Sequence, residues 1–420
     1  MLGDVTPSLA DAARRAARRT GTPLLLTDLP RLAADAAAVR AAFPDPWLRL
    51  YALKANGLPA LTARLPALGF GATAVSAGEL ALAARAGFPP GQVALEGIGK
   101  GEAELRAVVR AARMGSPLLW TSLESAEEAA ALARVAERAG VRCDVLVRVN
   151  PEVAPETHRG LAVGAVASKF GIPAEELPAV VEAGGGPDGP LRWRGIHLHV
   201  GSQLGAVDAW RSAFRLGLRL LALRRAGLPD FDTLDAGSGF PVAYGEPGSV
   251  PPLSAFAAVA AEELAGIAPD ARPRRLAIEP GRAVVAASGW LVGRVLHVRE
   301  RDPRLVVIDA GMTELIRPAL YGAEHPIVAL TSRGAPVPEG GGGEQVRTRV
   351  DGPVCESTDR LGEALLPPLV RGDLVAIGVA GAYGTAMAST YNGRPRPPEV
   401  GWDGSGLHLL RARGRRSALP

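Results

Sequence analysis

Between residues 48 and 279, short apolar runs alternate with longer amphipathic ones, and the alternation repeats eight times. No other feature of the chain restricts its fold so strongly. A short apolar run bounded by turn residues reads as a buried strand, and a longer run with a 3.6-residue period reads as a helix. The strands read as 48–53, 72–75, 93–96, 118–121, 144–149, 196–200, 233–236 and 276–279. Helices read between most of them, at 78–86, 102–112, 125–139, 207–226 and 253–265. Eight βα repeats over about 230 residues predict a (β/α)8, TIM-type barrel, with a doubly wound sheet as the alternative.

Beyond residue 279 the pattern changes. Apolar runs at 290–298, 305–309, 327–330, 346–350 and 374–379 follow without regular helices between them, which predicts a β-rich domain, a sandwich or barrel. Residues 1–27 read as one amphipathic helix and a strand at 24–27, expected to pack on that second domain. The expected division is therefore a barrel over 28–280 and a β-rich domain built from 1–27 and 281–420, completing the active site and a dimer interface. Loops are expected at 184–190, 245–252 and 334–343, with the glycine run 340–343 as a surface hairpin tip.

Composition excludes several classes. The 420 residues are 47% apolar and 21% charged, ordinary values for a soluble chain. No apolar run is long enough to span a membrane, and the N-terminus lacks a basic stretch followed by an apolar one, so a cytoplasmic protein is expected. Cys143 and Cys355 cannot build a disulfide framework or a four-thiolate zinc site. The net charge of +4 resides in the terminal arginines Arg411, Arg413, Arg415 and Arg416, so the body carries no basic surface for nucleic acid.

Barrel active sites sit at the carboxyl ends of the strands. Those ends carry Lys54-Ala55-Asn56, Ser76, Arg148 with Asn150, and His197 and His199 followed by Gly201-Ser202-Gln203. They also carry Asp235-Ala236-Gly237-Ser238-Gly239 and Glu279-Pro280-Gly281-Arg282. Such convergence of diverse polar groups points to an enzyme. The turn Gly237-Ser238-Gly239 offers backbone N–H groups to a phosphate, and Gly281-Arg282 offers a second such place. A lone lysine after a strand is ordinarily solvated or salt-bridged. A lysine inside a barrel mouth facing a phosphate site is instead a Schiff-base former, and Glu279 would then pair with a pyridinium nitrogen. His197 and His199 point to one face of a strand, but no further ligand follows at matching spacing, so no metal is expected. Cys143 reads as a structural, buried thiol. Glu356 and Asp359 beside Cys355 argue against burial there and for a functional role.

Ten blocks in order then carry a resemblance. They are Tyr51-Ala52-Leu53-Lys54-Ala55-Asn56, Ser76-Ala77-Gly78-Glu79-Leu80, Ser168-Lys169-Phe170-Gly171-Ile172, His199-Val200-Gly201-Ser202-Gln203 and Glu279-Pro280-Gly281-Arg282. Later come Asp309-Ala310-Gly311-Met312, Leu315-Ile316-Arg317-Pro318-Ala319-Leu320-Tyr321, Gly352-Pro353-Val354-Cys355-Glu356-Ser357, Gly381-Ala382-Tyr383, and Tyr391-Asn392 with Arg394-Pro395-Arg396-Pro397. The chain resembles the fold-type III pyridoxal 5'-phosphate-dependent amino-acid decarboxylases, which have an alanine racemase-like barrel, and most of all their diaminopimelate-acting branch. The resemblance implies decarboxylation of meso-2,6-diaminopimelate to L-lysine by a homodimer with shared active sites. It implies that Lys54 binds the cofactor covalently and His199 stacks on its ring. Ser202, Gly237, Ser238, Gly239, Gly281 and Tyr383 would hold the phosphate or its surroundings, and Glu279 the ring nitrogen. Arg282, Arg317 and Tyr321 would grip the distal carboxylate and Glu356 the distal amino group. Cys355 of the partner subunit would protonate the α-carbon. Paired arginines suit a second carboxylate better than a simple diamine precursor. The chain departs from the family at Ala72-Thr73-Ala74, where an Asp is usual, at Ser238, at Phe240-Pro241, and at the loop Glu96-Gly97-Ile98-Gly99-Lys100. Those departures keep sister substrates in view: carboxynorspermidine, D-ornithine or D-lysine, and a carrier-bound glutamyl group. A racemase on the same barrel is a further alternative, and a non-catalytic cofactor-binding protein the remaining one.

Overall fold

A computed structural model describes residues 6–415 apart from 155, 159, 161, 163, 165–167, 223–226, 246–247 and 339–342. Most of the glycine run at 340–343, the end of the helix read at 207–226, and Arg416 therefore lie outside the described residues. The chain divides into two compact units, one formed by Ala36–Pro241 and Val250–Gly281, the other by Met1–Asp35, Val242–Ser249 and Arg282–Pro420.

In the first unit eight parallel strands close into a barrel: Leu48–Ala52, Gly71–Ala74, Val93–Leu95, Trp120–Leu123, Cys143–Val149, Leu191–Leu198, Thr233–Asp235 and Arg275–Ile278. The last pairs with the first, Leu48 opposite Ala277 and Arg49 opposite Ile278, which rules out an open, doubly wound sheet. Strands buried on both faces are apolar almost throughout, and this is why they were legible as short runs. Leu50, Ala94, Trp120, Leu146 and Ala277 fill the interior as one cluster.

The barrel helices start where their caps dictate. Ser76 Oγ accepts from Glu79 N at 3.2 Å while Glu79 Oε2 reaches back to Val75 N at 2.8 Å, opening Ala77–Arg85. Ser125 and Glu128 repeat the device at Ala126–Ala139, Glu128 Oε2 accepting from Glu124 N at 2.7 Å. Each satisfies donors that the first helical turn leaves unpaired. Helix Asp208–Leu220 buries Trp210, Ala213, Phe214 and Gly217, and Trp210 stacks on Phe214 at 5.1 Å. Helix Leu29–Ala42 escaped the sequence reading because its alanine-rich stretch shows no apolar–polar period.

The second unit is a nine-stranded mixed sheet. Gly289–Arg299 is its long central strand, pairing with Leu24–Asp28, Arg304–Ile308 and Leu374–Ile377. Helix Pro7–Thr20 lays Leu9, Ala12, Ala13, Ala16 and Ala17 onto the same core as Leu24, Leu26, Trp290 and Val292. Strands Arg360–Leu366, Glu399–Trp402 and Leu407–Arg411 were not foreseen. The first and last are only partly buried, so polar side chains interrupt their apolar runs.

Candidate active site

Lys54 sits in the single turn Leu53–Ala55 that ends the first barrel strand. Among the described residues its amine makes no hydrogen bond or ion pair, which removes the salt-bridged reading. Its charge acts on Glu79, Glu96 and His199. An exposed, uncommitted amine facing carboxyls is available as a nucleophile.

Across the barrel mouth Glu96, His197, Asp235 and Glu279 are buried together. His197 Nε2 lies 3.6 Å from Glu279 Oε2 and 3.9 Å from Glu96 Oε2. Ligand-type atoms of Glu96, His197 and Glu279 all fall within 4.8 Å of one another, a grouping that spacing along the chain did not reveal. Burial and the neighbouring Glu279 push the Glu96 carboxyl well above the usual carboxylate range, and Asp235 rises for the same reasons. Glu279 moves the other way: although burial alone would raise its pKa, the neighbouring His197 and Glu96 hold it below its ordinary value. Burial drives His199 well below the usual imidazole range, helped by Lys54 and Arg148. Ser238 N–H donates to His199 Nδ1 at 3.2 Å, which assigns the ring proton of the neutral imidazole to Nε2.

The turn Gly237-Ser238-Gly239 is built for close approach. Gly237 takes φ +64°, and a Cβ there would lie 2.1 Å from Leu198 O, so only glycine fits. Gly237 N–H is given to Asp235 Oδ1 at 2.9 Å. The N–H groups of Gly237 and Ser238 are thus committed inside the barrel, which leaves the half-buried Ser238 hydroxyl and the Gly239 N–H to contact a ligand. Ser202 is half-buried, its carbonyl accepting from Thr157 Oγ1 at 2.6 Å. Arg148, singled out at the fifth strand, pairs with Glu124 Oε1 at 3.0 Å beneath the Phe170 ring. Glu124 Oε2 accepts from Gly171 N at 3.0 Å, so this pair pins the Ser168–Ile172 block to the barrel. Glu279 Oε1 is buried with no hydrogen-bond partner among the described residues. An orphaned carboxylate oxygen on a glutamate that faces two histidines fits a pyridine nitrogen, and so the residues present fit pyridoxal 5'-phosphate.

The second unit holds a cluster of opposite sign. Arg282 and Arg317 are each 3% exposed. The Arg317 guanidinium lies 5.7 Å from the Tyr244 ring, 5.5 Å from Tyr321 and 5.7 Å from Tyr383, while Arg282 lies 5.0 Å from Tyr383. Arg282 Nη1 donates to Tyr244 Oη. Among the described residues Arg317 forms no ion pair, and its Nε has no hydrogen-bond partner. Burial, then the facing Arg282, pulls its pKa down. Tyr383 takes the left-handed φ of +62°, a strained backbone that holds its ring under both guanidiniums. Tyr244 was missed by sequence reading: it lies in a loop outside every motif, and only packing reveals it. His325 stands edge-on to it at 4.9 Å and is bonded through Nδ1 to Gly378 O at 2.9 Å.

Cys355 is exposed and Cys143 buried, with burial pushing the Cys143 thiol up to about 11. Asn392 Nδ2 lies 3.5 Å from Cys355 Sγ, and Tyr391 Oη donates to the exposed Glu356 at 2.8 Å. Asp359, expected to mark an exposed segment, is instead buried. Its carboxylate accepts from Met312 N at 2.6 Å and Val354 N at 2.7 Å, shaping the loop from within.

Comparison with known proteins agrees with this chemistry. Residues 29–286 match the family described as pyridoxal-dependent decarboxylase, pyridoxal binding domain. A diaminopimelate decarboxylase of Deinococcus radiodurans is 37% identical over 412 residues, covering 96% of each chain. One from Aquifex aeolicus is 34% identical over 403 residues, 94% of this chain and 90% of that one. The crystal structure of diaminopimelate decarboxylase from Helicobacter pylori complexed with L-lysine superposes with a TM-score of 0.86 at 30% identity, covering 96% of this chain and 97% of that one. No helix among the described residues is long and apolar enough to cross a membrane. With its free lysine, its orphaned glutamate and a match over nearly its whole length, the chain belongs to the pyridoxal-dependent decarboxylases, among the diaminopimelate decarboxylases.

Proposed function

We propose that the chain decarboxylates meso-2,6-diaminopimelate to L-lysine and carbon dioxide. The observation that carries the substrate assignment is Arg317, a buried cation without a counter-ion, walled by tyrosine rings and beside a second arginine. Such a group awaits an anion, because guanidinium does not deprotonate and its burial is otherwise uncompensated. Lysine and ornithine carry no second carboxylate to meet it, whereas diaminopimelate does.

Pyridoxal 5'-phosphate, when bound, supplies the electron sink that lets carbon dioxide leave. Lys54 holds it covalently, His199 supports its ring as a neutral imidazole, and Glu279 accepts from its ring nitrogen. Ser202, the Gly237-Ser238-Gly239 turn, Gly281 and Tyr383 serve the phosphate and its surroundings. Arg282, Arg317 and Tyr321 take the distal carboxylate, Tyr383 walls it, and Glu356 takes the distal amino group. Cys355 donates the proton to the α-carbon. The exposure of Cys355 and Glu356 supports the reading that they serve the site of a partner copy, and we propose a homodimer on that ground.

The test is carbon dioxide release by the protein loaded with pyridoxal 5'-phosphate, supplied in turn with meso-diaminopimelate, L-lysine, L-ornithine and D-ornithine. Release from meso-diaminopimelate alone is expected. Release from another member of the panel, with none from meso-diaminopimelate, would overturn the substrate assignment.

A further inference from the structure

The barrel mouth contains an acid that none of the assigned roles uses. Glu96 follows the third strand, Val93–Leu95, and its N–H donates to Ala74 O at 2.8 Å. Its side chain turns inward and is 4% exposed. Its ligand-type oxygen lies within 4.8 Å of that of Glu279, and its Oε2 lies 3.9 Å from His197 Nε2. Its other oxygen, Oε1, is buried with no partner among the described residues. The loop beyond it is locked. Lys100 donates to Gly97 O and pairs with Glu128 Oε1 at 3.0 Å.

Two carboxyl groups this close and buried away from water do not both ionise, so one of them keeps a proton. The groups facing each decide where it sits. Glu96 faces Glu279, Asp235 and Lys54, and the two acids outweigh the one cation, which is itself exposed. Glu279 faces Glu96, His197 and His199, and a proton on Glu96 or on His197 favours its anion. We propose that Glu96 is a positioning residue that carries the shared proton and donates it to Glu279, fixing Glu279 as the anionic member of the pair. The inference rests on the reading that Glu279 meets the cofactor ring nitrogen. A Glu279 that took the proton itself would donate to that nitrogen instead of accepting from it, and the ring would lose its positive charge. Glu96 occupies the donor position and prevents this exchange of roles. His197 packs against both carboxyls, and burial lowers its pKa against the pull of Glu279.

The experiment compares the parent chain with Glu96→Gln and Glu96→Leu. Glutamine keeps a neutral donor where the protonated acid stands; leucine keeps bulk and removes the donor. The first readout is the dissociation constant of pyridoxal 5'-phosphate, followed by its visible absorbance band between pH 6 and 9. Glu96→Gln is expected to bind within about threefold of the parent, and Glu96→Leu about ten- to a hundredfold more weakly, the loss of one hydrogen bond to a charged group. The second readout is thermal unfolding of the cofactor-free chain against pH. A carboxyl held protonated in the fold but ionised when unfolded costs stability as pH rises above the ordinary carboxylate range, so the parent declines there and Glu96→Gln declines less. Glutamine binding as poorly as leucine would mean an ionised Glu96 is required and would overturn the proposal. So would leucine binding as well as the parent, or parent and Glu96→Gln showing identical pH slopes. Failure of the parent itself to bind the cofactor would instead strike the functional assignment, and the pH slopes would still judge the shared proton.

Discussion

The barrel unit buries an excess of acid, with Glu96, Asp235 and Glu279 beside two histidines, whereas the second unit buries Arg282 and Arg317 under tyrosine rings. Both arrangements withdraw like charges from water, but they settle the cost differently. The acids titrate: Glu96 and Asp235 keep protons, and one anion remains. Arginine has no such exit. Burial lowers the Arg317 pKa, yet the group stays cationic, and the faces of Tyr244, Tyr321 and Tyr383 supply only part of the missing counter-charge. The acid cluster therefore limits its charge without a ligand, although Glu96, Asp235 and Glu279 each keep one carboxyl oxygen without a partner among the described residues, while the arginine cluster is complete only with an anion. A cofactor that remains through every turnover suits the first, and a substrate that comes and goes suits the second.

The largest effect is expected where the barrel cluster meets chemistry. Lys54→Ala should remove borohydride-fixable cofactor and lower turnover by more than about a thousandfold, while leaving the fold intact because the amine holds nothing in place. An unchanged level of borohydride-fixed cofactor, read by mass spectrometry, would move the covalent site elsewhere.

Arg317→Met should separate the two clusters. Loss of a buried charged partner costs about 2–5 kcal/mol in binding, so kcat/KM for meso-diaminopimelate should fall by about 30- to 5,000-fold, chiefly through KM. The cofactor-free chain should at the same time melt at a higher temperature, since the variant buries no unpaired cation. A lower melting point would show that the tyrosine rings compensate Arg317 fully and that the site is not waiting for an anion.

The smallest effect belongs to His325, which touches the arginine cluster through Tyr244. Burial, with Arg317 and Arg282 nearby, pushes its pKa down to about 4. A histidine depressed in the fold contributes stability above its unfolded pKa and loses it as pH falls through the folded value. Between about pH 6.5 and 4 the loss should approach about 3 kcal/mol. His325→Gln should flatten that acid limb in denaturant titrations while leaving stability at pH 8 less altered. An unchanged limb would assign the acid sensitivity to the barrel histidines instead.

The strands of the barrel were legible because each is buried on both faces and so reads as an uninterrupted apolar run between turns. Lys54, His199, Glu279, Arg282 and Arg317 were legible because polar residues at strand ends, or in blocks shared with a family, stand out against that background. Glu96 was legible only as a departure in a loop, and Tyr244 not at all. Their importance lies in what they touch, and their partners stand far away in sequence: Glu279 for the first, Arg317 and His325 for the second. Asp359 shows the opposite error, since an acidic residue beside Cys355 suggested exposure but caps backbone donors from inside.

By itself the sequence determined the order of the barrel strands, the eightfold repeat and the kinds of chemical group at each strand end, because periodicity and side-chain chemistry are local properties. Tertiary structure alone decided that the sheet closes, that Glu96 meets Glu279, and that Arg317 is left without a counter-ion. Charge state and pairing depend on desolvation and on neighbours brought from distant strands, and neither is written in any single stretch of chain.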